Sequence, residues 1–339
     1  MPGSRLRRPP GALAVALGLA VGAAGTLGVV TSAQDRSDEV ARVEDMADVL
    51  AANDGPAENY LLVGSDSREG IAGDAENVEQ TGTADDVVGR RSDTIMILRR
   101  EKGGGAYLLS IPRDLWVEIA DTDGDEDKIN SAYNEGPRRL AATITESLGI
   151  PIHHYVEVDF VGFTSMVDEI GGVEMCFFYA TRDTHSGLDV QPGCHRLDGT
   201  QALAYTRSRY YQEFRNGDWT DTGVADLGRI ARQQLFIRQA VTQVLEELEG
   251  NPFMLNELIS TAGSAVRIDA GADPVQSANA LRAAAGAGLH TYSLPVEFID
   301  VDGESALELG DGADVYLDFF RGVGPVPPDP PPTETTVSD

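Results

Sequence analysis

The chain has 339 residues and a formal net charge of −29, from 55 acidic and 26 basic side chains. Phosphate-backbone binding needs an excess of basic surface, so this balance argues against nucleic acid as a partner. Only Lys102 and Lys128 are lysines; the other basic residues are arginines, and several arginines converging in so acidic a chain would create a strong local field.

Residues 1–10 are read as a cytoplasmic tail carrying Arg5, Arg7 and Arg8. Residues 11–30 are uncharged and long enough to span a bilayer, and the preceding arginines place everything after them outside. A cleaved signal peptide ending at Thr31-Ser32-Ala33 is the competing reading, but the apolar run exceeds a usual signal core, so a membrane anchor is preferred. Either way the body is exported. Residues 31–56 read as a juxtamembrane linker, 57–321 as one folded domain, and the proline-rich acidic stretch 322–339 as a disordered tail.

Within the body, Asn59 to Gly64 reads as a buried strand that delivers Gly64-Ser65-Asp66 at its tip. Thr94 to Leu98 and Ala106 to Ile111 read as two strands of a hairpin joined by the glycine-rich turn Glu101 to Gly105. The acidic run Asp121 to Asp127 has a glycine and an Ala132 where a calcium loop wants other residues, so it reads as a solvated hairpin turn. Helical periodicity covers Arg138 to Leu148 and Phe160 to Ile170, the second with Asp159 as N-cap. Gly171-Gly172 ends that helix, and the strand Val173 to Phe178 follows.

Cys176 and Cys194 are the only cysteines. Outside the membrane an even, isolated pair reads as a disulfide, here closing a hairpin-like excursion. Further on, Asp198 caps a short helix over Gly199 to Ala204, and Asp226 opens a long helix that runs to about Leu248 and stops at Gly250-Asn251-Pro252. Asn256 to Thr261, Pro274 to Ala285 and the strand-like Thr291 to Leu294 continue the mixture. The fold class is α/β: a sandwich with a mixed central sheet flanked by helices.

Four segments carry the chemistry: Gly64 to Arg68, Arg91-Ser92-Asp93-Thr94, Ile111-Pro112-Arg113-Asp114, and the stretch from Arg207-Ser208-Arg209 to Asp226-Leu227-Gly228-Arg229. Arginine suits bidentate phosphate recognition, and paired aspartates suit a hard divalent cation. Alternation puts Arg91 with Asp93, and Arg207 with Arg209, on shared faces; on a helix Asp226, Arg229 and Gln233 form one stripe. Each pattern alone has a bland reading as surface ion pair, cap or solvated helix face, but the set points to phosphoryl chemistry. His153, His154, His185, His195 and His290 show no zinc spacing, and neither a nucleophile elbow nor a Walker loop occurs.

The ordered blocks NYLLVGSDSR (59–68), RSDTIMILRR (91–100), LLSIPRDLWVEI (108–119), DKINSAYNEG (127–136), HYVEVDFVGFTSMVDEIGGVEM (154–175), LDGTQALAYTRSRY (197–210) and DLGRIARQQ (226–234) resemble the LytR-CpsA-Psr family, from about Asn59 to Arg321. The resemblance implies a single α/β/α domain and an extracytoplasmic, membrane-anchored transferase of cell wall biogenesis. Such an enzyme moves a glycopolymer from a polyprenyl-pyrophosphate carrier onto peptidoglycan and makes a phosphodiester. It further implies that Asp66 and Asp93 hold magnesium, or manganese, with the pyrophosphate head group. Arg91, Arg113, Arg207, Arg209 and Arg229 match phosphate-clamping arginines, Asp226 and Gln233 match supporting polar residues, and Lys128 is a weaker match. Asp66 or Asp93 would take the acceptor proton, and Arg91 and Arg113 would act with them. The same site with water as acceptor would be a polyprenyl-pyrophosphate hydrolase; without catalysis it would be a lipid-carrier binder or envelope regulator. Two insertions, Glu69 to Arg90 and Tyr210 to Ala225, depart from shorter members and read equally as lid, acceptor groove or tolerated loop growth.

Overall fold

The computed structural model describes residues 40–65, 92–222, 225–250, 266–273, 286 and 288–329, without the side chains of Asp93, Ala225, Asp226 and residues 247–250. The apolar run 11–30, Asp66, Arg91, the insertion 69–90, the segments 256–261 and 274–285, and residues 330–339 lie outside the described residues. Among the described residues no helix is long and apolar enough to cross a membrane.

In chain order the elements are β1 (Ala41–Val43), β2 (Ala57–Ser65), β3 (Ser92–Glu101), β4 (Ala106–Ile111), β5 (Trp116–Glu118), β6 (Glu126–Lys128), a 3-10 turn (Ile129–Glu135), α1 (Pro137–Leu148), β7 (His154–Val158) and α2 (Phe160–Glu169). There follow β8 (Val173–Phe177), β9 (Thr181–Asp183), β10 (Leu188–Val190), β11 (Gly193–Leu197), α3 (Gly199–Arg207), β12 (Gln212–Arg215), β13 (Asp218–Asp221) and α4 (Ala225–Gly250). The chain closes with β14 (Val266–Asp269), β15 (Leu289–Ser293), β16 (Val296–Val301), β17 (Glu304–Leu309) and α5 (Ala313–Arg321).

Seven strands form the central sheet in the order β1-β14-β7-β2-β3-β4-β15, with parallel and antiparallel pairs mixed as the sequence predicts. Strand alternation gives the sheet two faces. Leu61, Val63, Ile95, Ile97, Leu109 and Ile111 point into a core shared with Leu140 and Ile144 of α1 and Leu317 and Phe320 of α5. The alternate positions face α4, whose Gln234 donates to Ser110 Oγ at 2.9 Å and to the Tyr292 carbonyl at 2.7 Å. Helices therefore cover both faces.

The local signals work as read. Asp159 accepts from the Gly162 amide at 2.7 Å at the start of α2, and Asp198 with Gln201 forms a reciprocal capping box on α3. The acidic run Asp121 to Asp127 falls largely in the turn of the antiparallel β5–β6 hairpin and enters β6. Gly199 lets α3 meet α2 at backbone distance: a Cβ there would stand 2.3 Å from the Thr164 carbonyl oxygen.

Two boundaries shift. Ala41–Val43, within the segment read as a linker, is the edge strand of the central sheet, because Val43 and Met46 are apolar and bury in the main core. The start of the proline-rich tail is likewise held down: the Pro327 carbonyl accepts from Tyr292 Oη at 3.2 Å and Asp329 pairs with His290 at 2.7 Å.

The excursion between α2 and α3 is built on the antiparallel β8–β11 pair, where Cys176 and Cys194 face each other in register and are disulfide-bonded, as expected. With a sequence separation of 18, the bridge restricts the unfolded chain by about 3 kcal/mol. Replacing both cysteines with serine is expected to lower the melting temperature by several degrees, read by calorimetry, with far-UV circular dichroism unchanged.

Candidate functional site

Topology brings the charged segments to one end of the sheet. β2 runs parallel to β7 and antiparallel to β3, and β3 runs antiparallel to β4. The exit of β2 at Ser65, the entry of β3 at Ser92, the exit of β4 at Ile111 and the exit of β7 into α2 therefore share one edge. Asp66 and Arg91 flank that edge in sequence but lie outside the described residues.

The β2–β3 register slips at this edge: Gly64 faces Thr94, while Ser65 faces Ser92. Asp93 is thus the extra residue of a β-bulge, a device that re-aims a strand end. Gly64 makes the pairing beside it close, since a Cβ there would stand 3.0 Å from Thr94 Cβ. Among the described residues the buried Ser92 hydroxyl has no hydrogen-bond partner. Ser92 precedes Asp93 in sequence and Ser65, opposite Ser92 across the strand pair, precedes Asp66; hydroxyl and carboxylate oxygens of this kind are hard donors that fit a magnesium-type ion. Among the described residues no cluster of three metal-ligating side chains is complete, and the side chains of Asp66 and Asp93 are outside that description.

Three of the sequence candidates meet in one cleft. Arg113, Arg229 and Gln233 line it together with Thr94, Ile111 and Ser110. Gln233 Nε2 donates to Thr94 Oγ1 at 3.0 Å and to the Thr206 carbonyl at 3.2 Å, fastening the entry of β3 to the last turn of α3. Arg207 ends α3, and its guanidinium lies 4.4 Å over the Phe160 ring at the first residue of α2. Such stacking holds a cation without neutralising it. Arg229 is buried on α4, and Asp226 is in the first turn of that helix. Lys128 stands apart from the cleft, on β6 opposite Trp116, with its ammonium 3.7 Å from Glu304 Oε2.

Four supporting residues escape the sequence reading. Asp183, on β9, is buried; its Oδ2 accepts from Ser208 Oγ at 2.7 Å and from the amides of Tyr210 at 2.9 Å and Arg209 at 3.0 Å. Burial alone would raise this carboxyl, but the Ser208 hydroxyl and the Tyr210, His185 and Ser186 amides hold it below the ordinary carboxylate range. Arg232 donates to the Ser208 carbonyl and lies 4.6 Å over the Tyr211 ring; burial lowers its pKa. Gln234 ties α4 to β4 and β15. Glu157, buried on β7, accepts from Tyr155 Oη at 3.0 Å and lies 3.4 Å from Arg267 Nη1. Nothing in the sequence separates it from the chain's other carboxylates.

This end of the molecule concentrates arginine in a chain of net charge −29. Arg113 and Arg229 at the cleft, with Arg207 and Arg209 on the adjoining turn, form a setting in which a polyanion is favoured and water is partly excluded.

The comparisons agree with that chemistry. The model described as the LytR_cpsA_psr family matches residues 26–314. The chain is 36% identical over 267 residues to a probable cell wall biosynthesis protein LcpB of Corynebacterium glutamicum, covering 78% of this chain and 61% of that protein. It is 33% identical over 217 residues to the polyisoprenyl-teichoic acid–peptidoglycan teichoic acid transferase TagU of Enterococcus faecalis, covering 64% of this chain and 63% of that one. The chain therefore spans under two thirds of the length of either relative. Among solved structures, the LytR-Csp2A-Psr enzyme from Actinomyces oris superposes with a TM-score of 0.65 at 23% identity, over 83% of this chain and 95% of that one, a likeness of fold.

Proposed function

The chain belongs to the LytR_cpsA_psr family, and on that premise we propose that it is a cell-wall phosphotransferase. It moves a glycopolymer from a polyprenyl-pyrophosphate carrier to a sugar hydroxyl of peptidoglycan. The observation that carries this reading is the meeting of Arg113, Arg229 and Gln233 in one cleft at the sheet edge where Ser65 and Ser92 also end, with Arg207 on the turn that Gln233 fastens there.

The acceptor oxygen attacks the sugar-linked phosphorus in line; its bond to the bridging oxygen breaks, and polyprenyl phosphate leaves. The product is a phosphodiester. Arg91, Arg113, Arg207, Arg209 and Arg229 neutralise the non-bridging oxygens before and during the step, which is most of what such a transition state asks of a protein. Asp66 or Asp93 takes the acceptor proton. Asp226 supports the cluster, as does Gln233, while Lys128, the weaker match, lies beyond the cleft beside Glu304. Asp66 and Asp93 would hold magnesium, with manganese as the substitute, which supplies charge neutralisation on the diphosphate when bound.

The disulfide supports an oxidising compartment. Residues 11–30 would anchor the chain with its N-terminus in the cytoplasm and residues 57–321 outside, beside a carrier that itself resides in the membrane.

The test is transfer of a synthetic polyprenyl-pyrophosphate-linked sugar to peptidoglycan oligosaccharide. A phosphodiester-linked product supports the transferase; release of free sugar phosphate would replace it with a hydrolase, and donor bound but unchanged with a carrier binder. Chelation of divalent ions is expected to lower the transfer rate at least about a hundredfold, restored by magnesium. Full activity in chelator would remove the metal from the proposal.

A further inference from the structure

The insertion between Arg209 and α4 is the hairpin β12–β13, which joins β9 and β10 in a four-stranded sheet. Cross-strand register places Arg182, Gln212, Phe214, Trp219 and Asp221 on one face of it. The opposite face carries the buried Thr181 and Asp183. The outward face is therefore not core.

On that face the Arg182 guanidinium lies 4.0 Å over the Trp219 ring and donates through Nε to Gln212 Oε1 at 3.0 Å. The Phe214 ring sits 5.4 Å from Trp219 and is 43% exposed, and exposed Asp221 rims the pair. A bland reading is that the pair merely zips a short hairpin. That account needs the rings but not the polar groups built around them. The exposed Phe214 ring and the Trp219 ring, which Arg182 backs from one face, with an amide and a carboxylate beside them, match a pyranose, which offers an apolar C–H face and a rim of hydroxyls. With one carboxylate, Asp221, beside one guanidinium, Arg182, this face carries no net positive charge to attract anionic headgroups or anionic polymers.

The platform is continuous with the site. The hairpin leaves from Arg209 and returns into α4 four residues before Arg229, and Asp183 on the inner face of the same sheet holds the Ser208 hydroxyl and the Arg209 and Tyr210 amides. Arg207 instead turns toward Phe160 on α2.

We propose that this outward face binds neutral sugar units of the acceptor glycan strand and aligns its hydroxyl with the cleft, an inference that rests on the transferase reading. Trp116 and Trp219 are the only tryptophans, so the full chain with Trp116→Phe has Trp219 as sole reporter. Titration with soluble peptidoglycan oligosaccharide is expected to give a saturable change in Trp219 emission. In transfer assays Trp219→Ala is expected to raise the acceptor KM at least about tenfold, with kcat and the donor KM within about twofold, and Trp219→Phe to restore it. Silence toward the oligosaccharide, or a response only to the donor glycan or to anionic phospholipid vesicles, overturns the proposal. Should no transfer occur with any variant, the transferase reading fails, while the emission titration still decides the platform.

Discussion

Arg207→Ala is expected to reduce kcat for transfer by about 10²–10³-fold, the loss seen when one preorganised donor to a developing oxyanion is removed. The argument is one of position. Arg207 is the last residue of α3, and the Gln233 amide bridges the carbonyl of its neighbour Thr206 to Thr94 at the entry of β3. Its guanidinium is stacked on Phe160 at 4.4 Å, which orients the planar fork. Because the side chain is only half-buried, truncation leaves no large cavity, so the melting temperature should move by no more than a few degrees. Arg207→Lys keeps the charge but loses the planar fork and should recover only part of the rate. Wild-type kcat in Arg207→Ala, measured at saturating donor, would place the phosphates elsewhere.

The contrast between what was legible in the sequence and what was not follows the range of each interaction. Asp159 and Asp198 announce their helices because a cap satisfies amides three residues away. Ala106–Ile111 reads as a strand from its own β-branched and apolar run. The register that sets β15 beside β4 joins Leu289 to Ala106, and nothing local in either segment specifies the other. The site divides in the same way. Arg113, Arg229 and Gln233 were visible by residue type and family block, but the partner that gives Gln233 its task, Thr94, is 139 residues distant. Lys128 was a weaker match than the arginines in sequence, and only the fold reveals Glu304 beside it. Glu157 and Asp183 were invisible for a further reason: an acidic residue reads as surface until burial and donors are known, and this chain has 55 of them.

The residue that most tightly couples the excursion to the arginines is Asp183, and its loss is the second large effect expected. Its carboxylate accepts from the Ser208 hydroxyl and the Arg209 and Tyr210 amides on one oxygen and from the His185 and Ser186 amides on the other. Asp183→Ala leaves several buried donors without an acceptor at about 1–3 kcal/mol each, so a destabilisation of about 3 kcal/mol or more is expected in denaturant melts at pH 7. Because the same carboxylate orients the Arg207-to-Arg209 turn, transfer should fall at temperatures where the variant is still folded; a destabilised variant with wild-type kcat would show that the turn holds without it. The sign of the pH dependence separates this from generic damage. The folded-state pKa of Asp183 is lowered, so its contribution is present above the ordinary carboxylate pKa and is lost as pH falls through the folded value. The stability gap between wild type and Asp183→Ala should therefore be widest near neutrality and narrow below about pH 4. Asp183→Asn keeps the shape but places an amide where donors already point, so it too should be destabilised. A gap that stays constant from pH 7 to pH 3 would mean that the carboxylate charge contributes nothing and that the site is held by packing alone.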